Sequence, residues 1–149
     1  MLFEHQVVGS VATWLKSRGY DVHQALAESE KGDDIIATAP GNSHRLFVEA
    51  KGESSSRVGT SRFGKPFSPN QVKVHVAVAL YRAAQMLDNP CELPVRVALA
   101  FPANEDHRRV VGRVQKAIAT LGIEVLWVSQ GGSVSLEGSG TCPFGESRA

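Results

Sequence analysis

Residues 31–52 contain an acidic pair, a short polar turn and an apolar run that carries a glutamate and a lysine two positions apart. Successive side chains of a β-strand point to opposite faces. Glu49 and Lys51 must therefore share one face if this run is a strand. The opposite face would then enter a core, and it carries Leu46, Val48 and Ala50. A carboxylate and an ammonium held together on a rigid element constrain both the fold and the chemistry of this chain.

A partner strand precedes this run. Asp33 to Ala37 has the composition of a strand, and the residues at 40–43 have that of a hairpin connection. Antiparallel pairing brings the acidic end of the first strand close to Glu49. Because Asp33 and Asp34 point to opposite faces, at most one of them joins Glu49. Two carboxylates and one amine at a sheet edge suit a hard divalent cation and a polarised water.

The order of elements predicts an α/β fold with a central mixed sheet flanked by helices. With 149 residues, the chain is long enough to bury a real core. An early meander of strands followed by strand-helix-strand gives a sheet that is parallel in its later half. We expect one domain over residues 1–130, then a weak strand near 133–136 and a loose tail to 149. The predicted elements are a helix over 2–17, strands over 20–27, 33–37 and 46–51, a helix over 69–87, a strand over 95–101, a helix over 104–121 and a strand over 123–128.

Composition places the chain among ordinary globular proteins. Net charge is only +1, so any binding of nucleic acid must come from a local basic surface. No apolar run approaches the roughly 20 residues that cross a bilayer, and the amino end lacks the features of a signal peptide, so we expect a cytoplasmic protein. Cys91 and Cys142 are too few and too far apart for a disulfide framework or a zinc site, which predicts two reduced thiols.

Residues 52–67 form a segment rich in serine and glycine that carries Arg57, Arg62 and Lys65 against the single acid Glu53. Such a segment buries little and is typical of a loop. Its basic side chains, next to Lys51, could contact a phosphodiester backbone without regard to sequence. The alternative is a solvated surface loop. The two phenylalanines of the segment, at 63 and 67, would either stack on a base or pin the loop to the body.

Gly32-x-Asp34-Ile35 followed by Glu49-Ala50-Lys51 resembles the PD-(D/E)XK nuclease superfamily, in which an Asp and a Glu-x-Lys lie on adjacent strands. The resemblance covers about residues 1–130 and implies a restriction-endonuclease-like fold with an α-β-β-β-α-β core. It favours Asp34 over Asp33 as the partner of Glu49.

The same resemblance implies two outer-shell residues at the catalytic centre. Glu4 is an acid on the first helix, and Gln71 opens the helix that follows the Glu-x-Lys strand. The residues alone leave another interpretation of each. Glu4 suits the first turn of a helix through the macrodipole, and Gln71 forms a capping box with Ser68.

The function implied is that of a Mg²⁺- or Mn²⁺-dependent deoxyribonuclease that hydrolyses phosphodiester bonds. Asp34 and Glu49 would ligate the metal, with the backbone carbonyl of Ala50 as a third ligand. The metal would activate a water and neutralise charge on the phosphate. Lys51 would orient that water and stabilise the transition state as a point charge.

Two alternatives stand beside the nuclease. The first is a nuclease fold that has lost cleavage and binds nucleic acid or a protein partner. The second gives the site no function, because Glu49 and Lys51 could be a surface ion pair while Asp33 and Asp34 serve the turn. The partner expected for an active enzyme is DNA, and a homodimer is plausible because cutting both strands of a duplex needs two sites.

Overall fold

A computed structural model describes residues 1–26, 31–55 and 58–137. Arg57 and the predicted tail at 138–149 lie outside the described residues. Within those ranges, none of the helices has the length and apolar character needed to cross a membrane. The elements in chain order are α1 (Glu4–Ser17), β1 (Asp21–Ala25), β2 (Ile35–Thr38), a 3-10 turn (Pro40–Asn42), β3 (Arg45–Ala50), α2 (Pro69–Asp88), β4 (Val95–Pro102), α3 (Glu105–Gly112), α4 (Gln115–Thr120), β5 (Glu124–Val128) and β6 (Val134–Leu136).

The six strands form one mixed sheet in the order β1-β2-β3-β4-β5-β6. The first three strands pair antiparallel, β3-β4 and β4-β5 pair parallel, and β6 pairs antiparallel with β5. The predicted α/β class, with a central mixed sheet that is parallel in its later half, is confirmed. The weak strand expected near 133–136 is present as β6 at the edge of this sheet.

Helices cover both faces of the sheet. The buried residues of α1 pack with one face, and those of α2, α3 and α4 pack with the other. In β3 the predicted alternation is observed, because Leu46, Val48 and Ala50 are fully buried on the α1 face. Phe47 packs with the α2 face. Glu49, two residues further along the strand, shares that side, so the strand carries a buried carboxylate towards α2.

The helix predicted over 104–121 is instead two helices, α3 and α4. The break lies at Val114, whose φ of −122° and ψ of 15° are not helical. Gly112 and the β-branched Val114 are weak helix formers, so this stretch opposes one continuous helix. Ile118 is buried in α4, whereas Leu121, at the end of the predicted helix, is 47% exposed.

Candidate active site

The pairing of β2 with β3 brings two acids together at the carboxyl end of β3. Ile35 is opposite Val48 in this antiparallel ladder, so the next pair in the same register is Asp34 and Glu49. Asp34 lies just before β2, and its Oδ2 accepts a hydrogen bond of 2.7 Å from the backbone amide of Ala50. That bond fixes the Asp34 carboxylate over the end of β3.

Lys51 lies between two carboxylates. Its Nζ is 2.8 Å from Glu49 Oε1 and 3.7 Å from Glu4 Oε2. The side chains of Lys51 and Glu49 are only 14% and 5% exposed, so this pair is well removed from solvent. Glu4 and Glu49 thus meet at Lys51, and Asp34 interacts electrostatically with Glu49 and Lys51. We call these four residues the strand-end cluster. The shared face of Glu49 and Lys51 that the sequence required is observed.

The neighbouring carboxylates keep Lys51 protonated. Burial alone would lower the pKa of Lys51, but the negative charges around it, led by Glu4 and Glu49, outweigh burial and raise the pKa above its ordinary value. At neutral pH the side chain is therefore an ammonium. It can donate hydrogen bonds and supply positive charge, and it cannot accept a proton.

Asp34 is the member of the cluster whose ionised form the folded protein disfavours. Burial, with the nearby charge of Glu49 as the second cause, raises the pKa of Asp34 from 3.8 to about 6. Its neighbour Asp33 makes a different contact, with Oδ1 3.6 Å from Nη2 of Arg82, a residue that also contacts Glu49. Asp34 accepts the hydrogen bond from Ala50, and the charge of Glu49 acts on its pKa. A carboxylate with a raised pKa next to another carboxylate is a common feature of functional sites.

Asp34→Asn is expected to stabilise the protein in metal-free buffer at alkaline pH. Because the folded-state pKa of Asp34 lies above 3.8, the folded protein holds this proton more tightly than the unfolded chain does. Ionised Asp34 thus costs stability as pH rises from 3.8 to about 6, and the full cost remains above that range. Asparagine carries no charge and keeps an oxygen for the Ala50 amide. The free energy of unfolding should rise by about 1–2 kcal/mol near pH 8 and change little near pH 4.

Urea unfolding of both proteins in EDTA at these two pH values measures this difference. An Asp34→Asn protein that is less stable than wild type near pH 8 would show that the Asp34 charge supports the fold and is not under strain.

Arg82 of α2 approaches the cluster from the other side of Glu49. Its Nε is 3.7 Å from Glu49 Oε2, and its Nη2 donates a hydrogen bond of 3.1 Å to the backbone oxygen of Gly32. The sequence places Arg82 on one face of α2 with Gln71 and His75, at helical spacing. That spacing says nothing about which strand the face meets, so the contact of Arg82 with Glu49 was missed.

The residues present fit a divalent cation. Glu49 Oε2 is buried and, across the described part of the chain, has no hydrogen-bond partner. The same residues contain no group of three His, Cys, Asp or Glu side chains arranged to hold a metal. Asp34 and Glu49 would then be the only side-chain ligands among them, and Mg²⁺ is commonly held by one or two carboxylates while it keeps several waters. The ligand role of the Ala50 carbonyl stays a prediction.

Gln71 caps α2, as one interpretation of the sequence required. Its side-chain Oε1 accepts hydrogen bonds of 2.9 Å from Ser68 N and 2.8 Å from Arg62 Nη1. The backbone N of Gln71 donates to Ser68 Oγ at 3.3 Å. Its outer-shell catalytic role stays a prediction. Arg62 and Lys65 are both exposed on the segment after β3, and their contact with nucleic acid also stays a prediction.

Gly52 lets the start of α1 lie against the end of β3. A Cβ at this position would be 2.5 Å from Glu4 N and 2.9 Å from the carbonyl carbon of Phe3, both backbone atoms. Any larger residue would push α1 away and move Glu4 from Lys51. A glycine directly after the Glu-x-Lys run was the available signal, but a glycine at a strand end is equally typical of a loop.

Glu53 ties the same region together. Its Oε1 accepts hydrogen bonds of 2.6 Å from both Leu2 N and Gln130 Nε2, and its Oε2 accepts one of 2.7 Å from Asn104 Nδ2. Burial alone would raise the pKa of Glu53, but these hydrogen bonds, led by that from Gln130, hold the pKa below its ordinary value. An ionised Glu53 therefore anchors the segments that hold Glu4 and Lys51 in contact. Its partners are 51 and 77 positions away in sequence, which hid this role from sequence reasoning.

No protein-family model and no curated protein matches this sequence. The chain is similar in structure to SfsA of Pyrococcus furiosus, solved in complex with Ca²⁺, with 14% identity and a TM-score of 0.37. The match covers 87% of this chain and 58% of that one. A likeness of this degree carries no conclusion about the site or its activity.

Proposed function

We propose that this chain is a metal-dependent deoxyribonuclease that hydrolyses phosphodiester bonds at the strand-end cluster. The observation that carries the proposal is the state of Glu49. Its side chain is 5% exposed, Lys51 occupies Oε1, and buried Oε2 has no hydrogen-bond donor within the described ranges. Asp34 faces it in the β2–β3 register. A buried carboxylate is costly, and Oε2 accepts no hydrogen bond and has only the longer ion pair of 3.7 Å with Arg82 Nε among the described residues. A cation ligand would explain this arrangement, as the PD-(D/E)XK resemblance implies.

The residues divide the work of hydrolysis among them. Asp34 and Glu49 would hold Mg²⁺ or Mn²⁺ through hard oxygens. When bound, the cation supplies a water of lowered pKa and positive charge beside the phosphate. Lys51, protonated because its pKa is raised, donates hydrogen bonds to the negative charge that develops in the transition state. Glu4, 3.7 Å from the ammonium, orients it.

The basic segment after β3 supplies affinity for the DNA backbone. Arg62 and Lys65 are exposed, and cationic side chains bind phosphates independently of sequence. The hydrogen bond from Arg62 to Gln71 fixes this segment to the start of α2. Phosphate contacts would therefore be made at a fixed place relative to the cluster. Cleavage of both strands of a duplex would require two copies of the chain.

Cleavage of a panel of DNA forms tests the proposal. Wild-type protein should cut at least one of linear duplex, branched and single-stranded DNA in Mg²⁺ or Mn²⁺, and none in EDTA. Asp34→Asn should lower the rate by about 100-fold or more, because removing a ligand charge weakens the hold on the metal. Asp33→Asn is the matched control, since it removes the adjacent carboxylate and should retain activity within a few fold. Equal rates for wild type and Asp34→Asn would refute the assignment.

A second function is favoured by the position of Arg82. Its Nε lies 3.7 Å from Glu49 Oε2, the oxygen that a cation would take, so the cluster is partly neutralised without metal. Such an arrangement suits a nuclease fold that binds nucleic acid without cutting it. That protein would bind DNA equally well with Mg²⁺ or EDTA and cut no member of the panel.

A further inference from the structure

Three aromatic rings stack beside the strand-end cluster. The ring centroid of Phe3 is 5.7 Å from that of His5 and 6.1 Å from that of Phe63, with interplanar angles of 11° and 14°. These distances lie in the range of favourable aromatic pairs. We call Phe63, Phe3 and His5 the aromatic ladder. Phe63 forms one end of the ladder and is 48% exposed, although it is a large apolar side chain.

The ladder is joined to the cluster through the start of α1. Phe3 and His5 flank Glu4 in the chain, and Glu4 Oε2 is 3.7 Å from Lys51 Nζ. The segment that carries Phe63 is held beside the residues that follow Lys51. Gly64 N donates to Ser55 O at 3.2 Å, and Phe67 N donates to Glu53 O at 2.9 Å. The exposed ring is thus attached to the same strand end that carries the charged site.

The two phenylalanines of this segment do different things. Phe67 is half-buried and packs on His75, with ring centroids 4.3 Å apart. Burial, with Lys51 as the second cause, lowers the pKa of His75, so its ring is uncharged at neutral pH. Phe67 therefore pins the segment to α2, whereas Phe63 presents its ring to solvent. Arg62 and Lys65, both exposed, lie one and two positions from Phe63 in sequence.

We propose that Phe63 is a stacking platform for an unpaired nucleobase, so that the substrate of this site is single-stranded or locally unpaired DNA. This inference rests on the proposed function for the nature of the substrate. A base inside a duplex has both faces covered by its neighbours, whereas an unpaired base can lay its face on an aromatic ring. The cations on either side of Phe63 in the sequence, Arg62 and Lys65, suit the phosphates that accompany each base.

An apolar protein partner would cover Phe63 equally well on area alone. The neighbouring charges decide against it, because Arg62 and Lys65 would have to be desolvated beside an apolar partner without compensation. A polyanion compensates both charges. Binding of a purified oligonucleotide separates the two occupants. A surface for an apolar protein partner would give no oligonucleotide binding that depends on Phe63.

Fluorescence anisotropy in EDTA measures the affinity for DNA under conditions in which metal-dependent cleavage cannot occur. A labelled 20-nucleotide single strand of mixed sequence should bind wild type more tightly than the blunt duplex of the same sequence. Phe63→Ala should weaken single-strand binding by about 5- to 100-fold, the effect of losing one base–aromatic stack. Duplex binding should change by less than about twofold, because phosphate contacts remain. Phe63→Trp should keep the single-strand affinity.

Two further variants guard the interpretation. Tyr81→Ala removes a ring that is 66% exposed on α2 and outside the ladder, and should leave single-strand affinity unchanged. Phe63→Leu keeps an apolar side chain for packing and should lose affinity as Phe63→Ala does. Because Phe63→Leu also loses the ring contact with Phe3, binding is compared below the melting transition of the variant. Wild-type affinity in Phe63→Ala, or a wild type that binds the duplex at least as tightly as the single strand, overturns the platform.

Failure of the platform and failure of the nuclease are distinguishable. A protein that binds single strands through Phe63 yet cuts no DNA in Mg²⁺ or Mn²⁺ would support the platform proposal and refute the nuclease proposal. A protein that cuts DNA at the strand-end cluster, with the same rates and affinities in wild type and the Phe63 variants, would support the nuclease proposal and refute the platform proposal.

Discussion

Glu49→Gln is expected to lower DNA cleavage by about 1,000-fold or more, since metal assistance to phosphodiester hydrolysis is worth several kcal/mol. Glutamine keeps the shape of the side chain and removes its charge. The carboxylate, whose Oε1 lies 2.8 Å from Lys51 Nζ and whose Oε2 is buried, becomes a neutral amide. An amide cannot hold a divalent cation as a carboxylate does. Single-turnover cleavage in Mn²⁺ measures the loss.

Glu124→Gln is the matched control for this experiment. Glu124 is a half-buried acid at the start of β5, separated from β3 by β4 and in register with Val48, which faces the opposite side of the sheet from Glu49. Its neutralisation should leave cleavage within a few fold of wild type. A Glu49→Gln protein that melts as wild type does and still cuts DNA at the wild-type rate would remove Glu49 from the site.

Lys51→Met is expected to lower cleavage by about 100- to 1,000-fold while metal binding is retained. The ammonium is the group that meets negative charge in the transition state, and loss of one such donor has an effect of this size. Metal affinity should stay equal or rise, because Lys51 no longer competes for Glu49 Oε1. Comparison of single-turnover rates with Mn²⁺ titrations separates the two roles.

The same substitution carries a structural cost. It leaves Glu4 and Glu49 without the ammonium between them, and removal of one partner from a buried pair costs about 3–5 kcal/mol, less here because Glu4 is 19% exposed. Rates are therefore compared below the melting transition of the variant. Lys116→Met, which removes an exposed lysine on α4, should change neither rate nor stability. Wild-type cleavage by a folded Lys51→Met protein would contradict the role of Lys51.

Short-range patterns predicted most of what positions the site. Alternation in β3 was enough to place Glu49 and Lys51 on one face, and the hairpin to β2 was enough to bring an aspartate opposite Glu49. The capping box of α2 follows from Ser68 and Gln71, which lie three positions apart, and both make the expected bonds. These features depend on neighbours within one hairpin or one helical turn, which is the range over which sequence patterns act.

Contacts between distant segments were beyond that range. The hydrogen bonds of Glu53 to Leu2 and Gln130 join parts of the chain that no local pattern relates. Arg82 meets Glu49 because α2 packs on the face of the sheet that carries Glu49. The division of the predicted helix 104–121 into α3 and α4 depended on weak helix formers at 112 and 114 whose effect local spacing did not resolve.

Calorimetric titration of Mn²⁺ into wild-type and Glu49→Gln protein near neutral pH tests the central claim most directly. If Asp34 and Glu49 hold a cation at the end of β3, wild type binds one Mn²⁺ per chain and Glu49→Gln binds it about 100-fold more weakly or not at all. A wild type that takes up no Mn²⁺, or a variant that binds it with the same affinity, would contradict the claim.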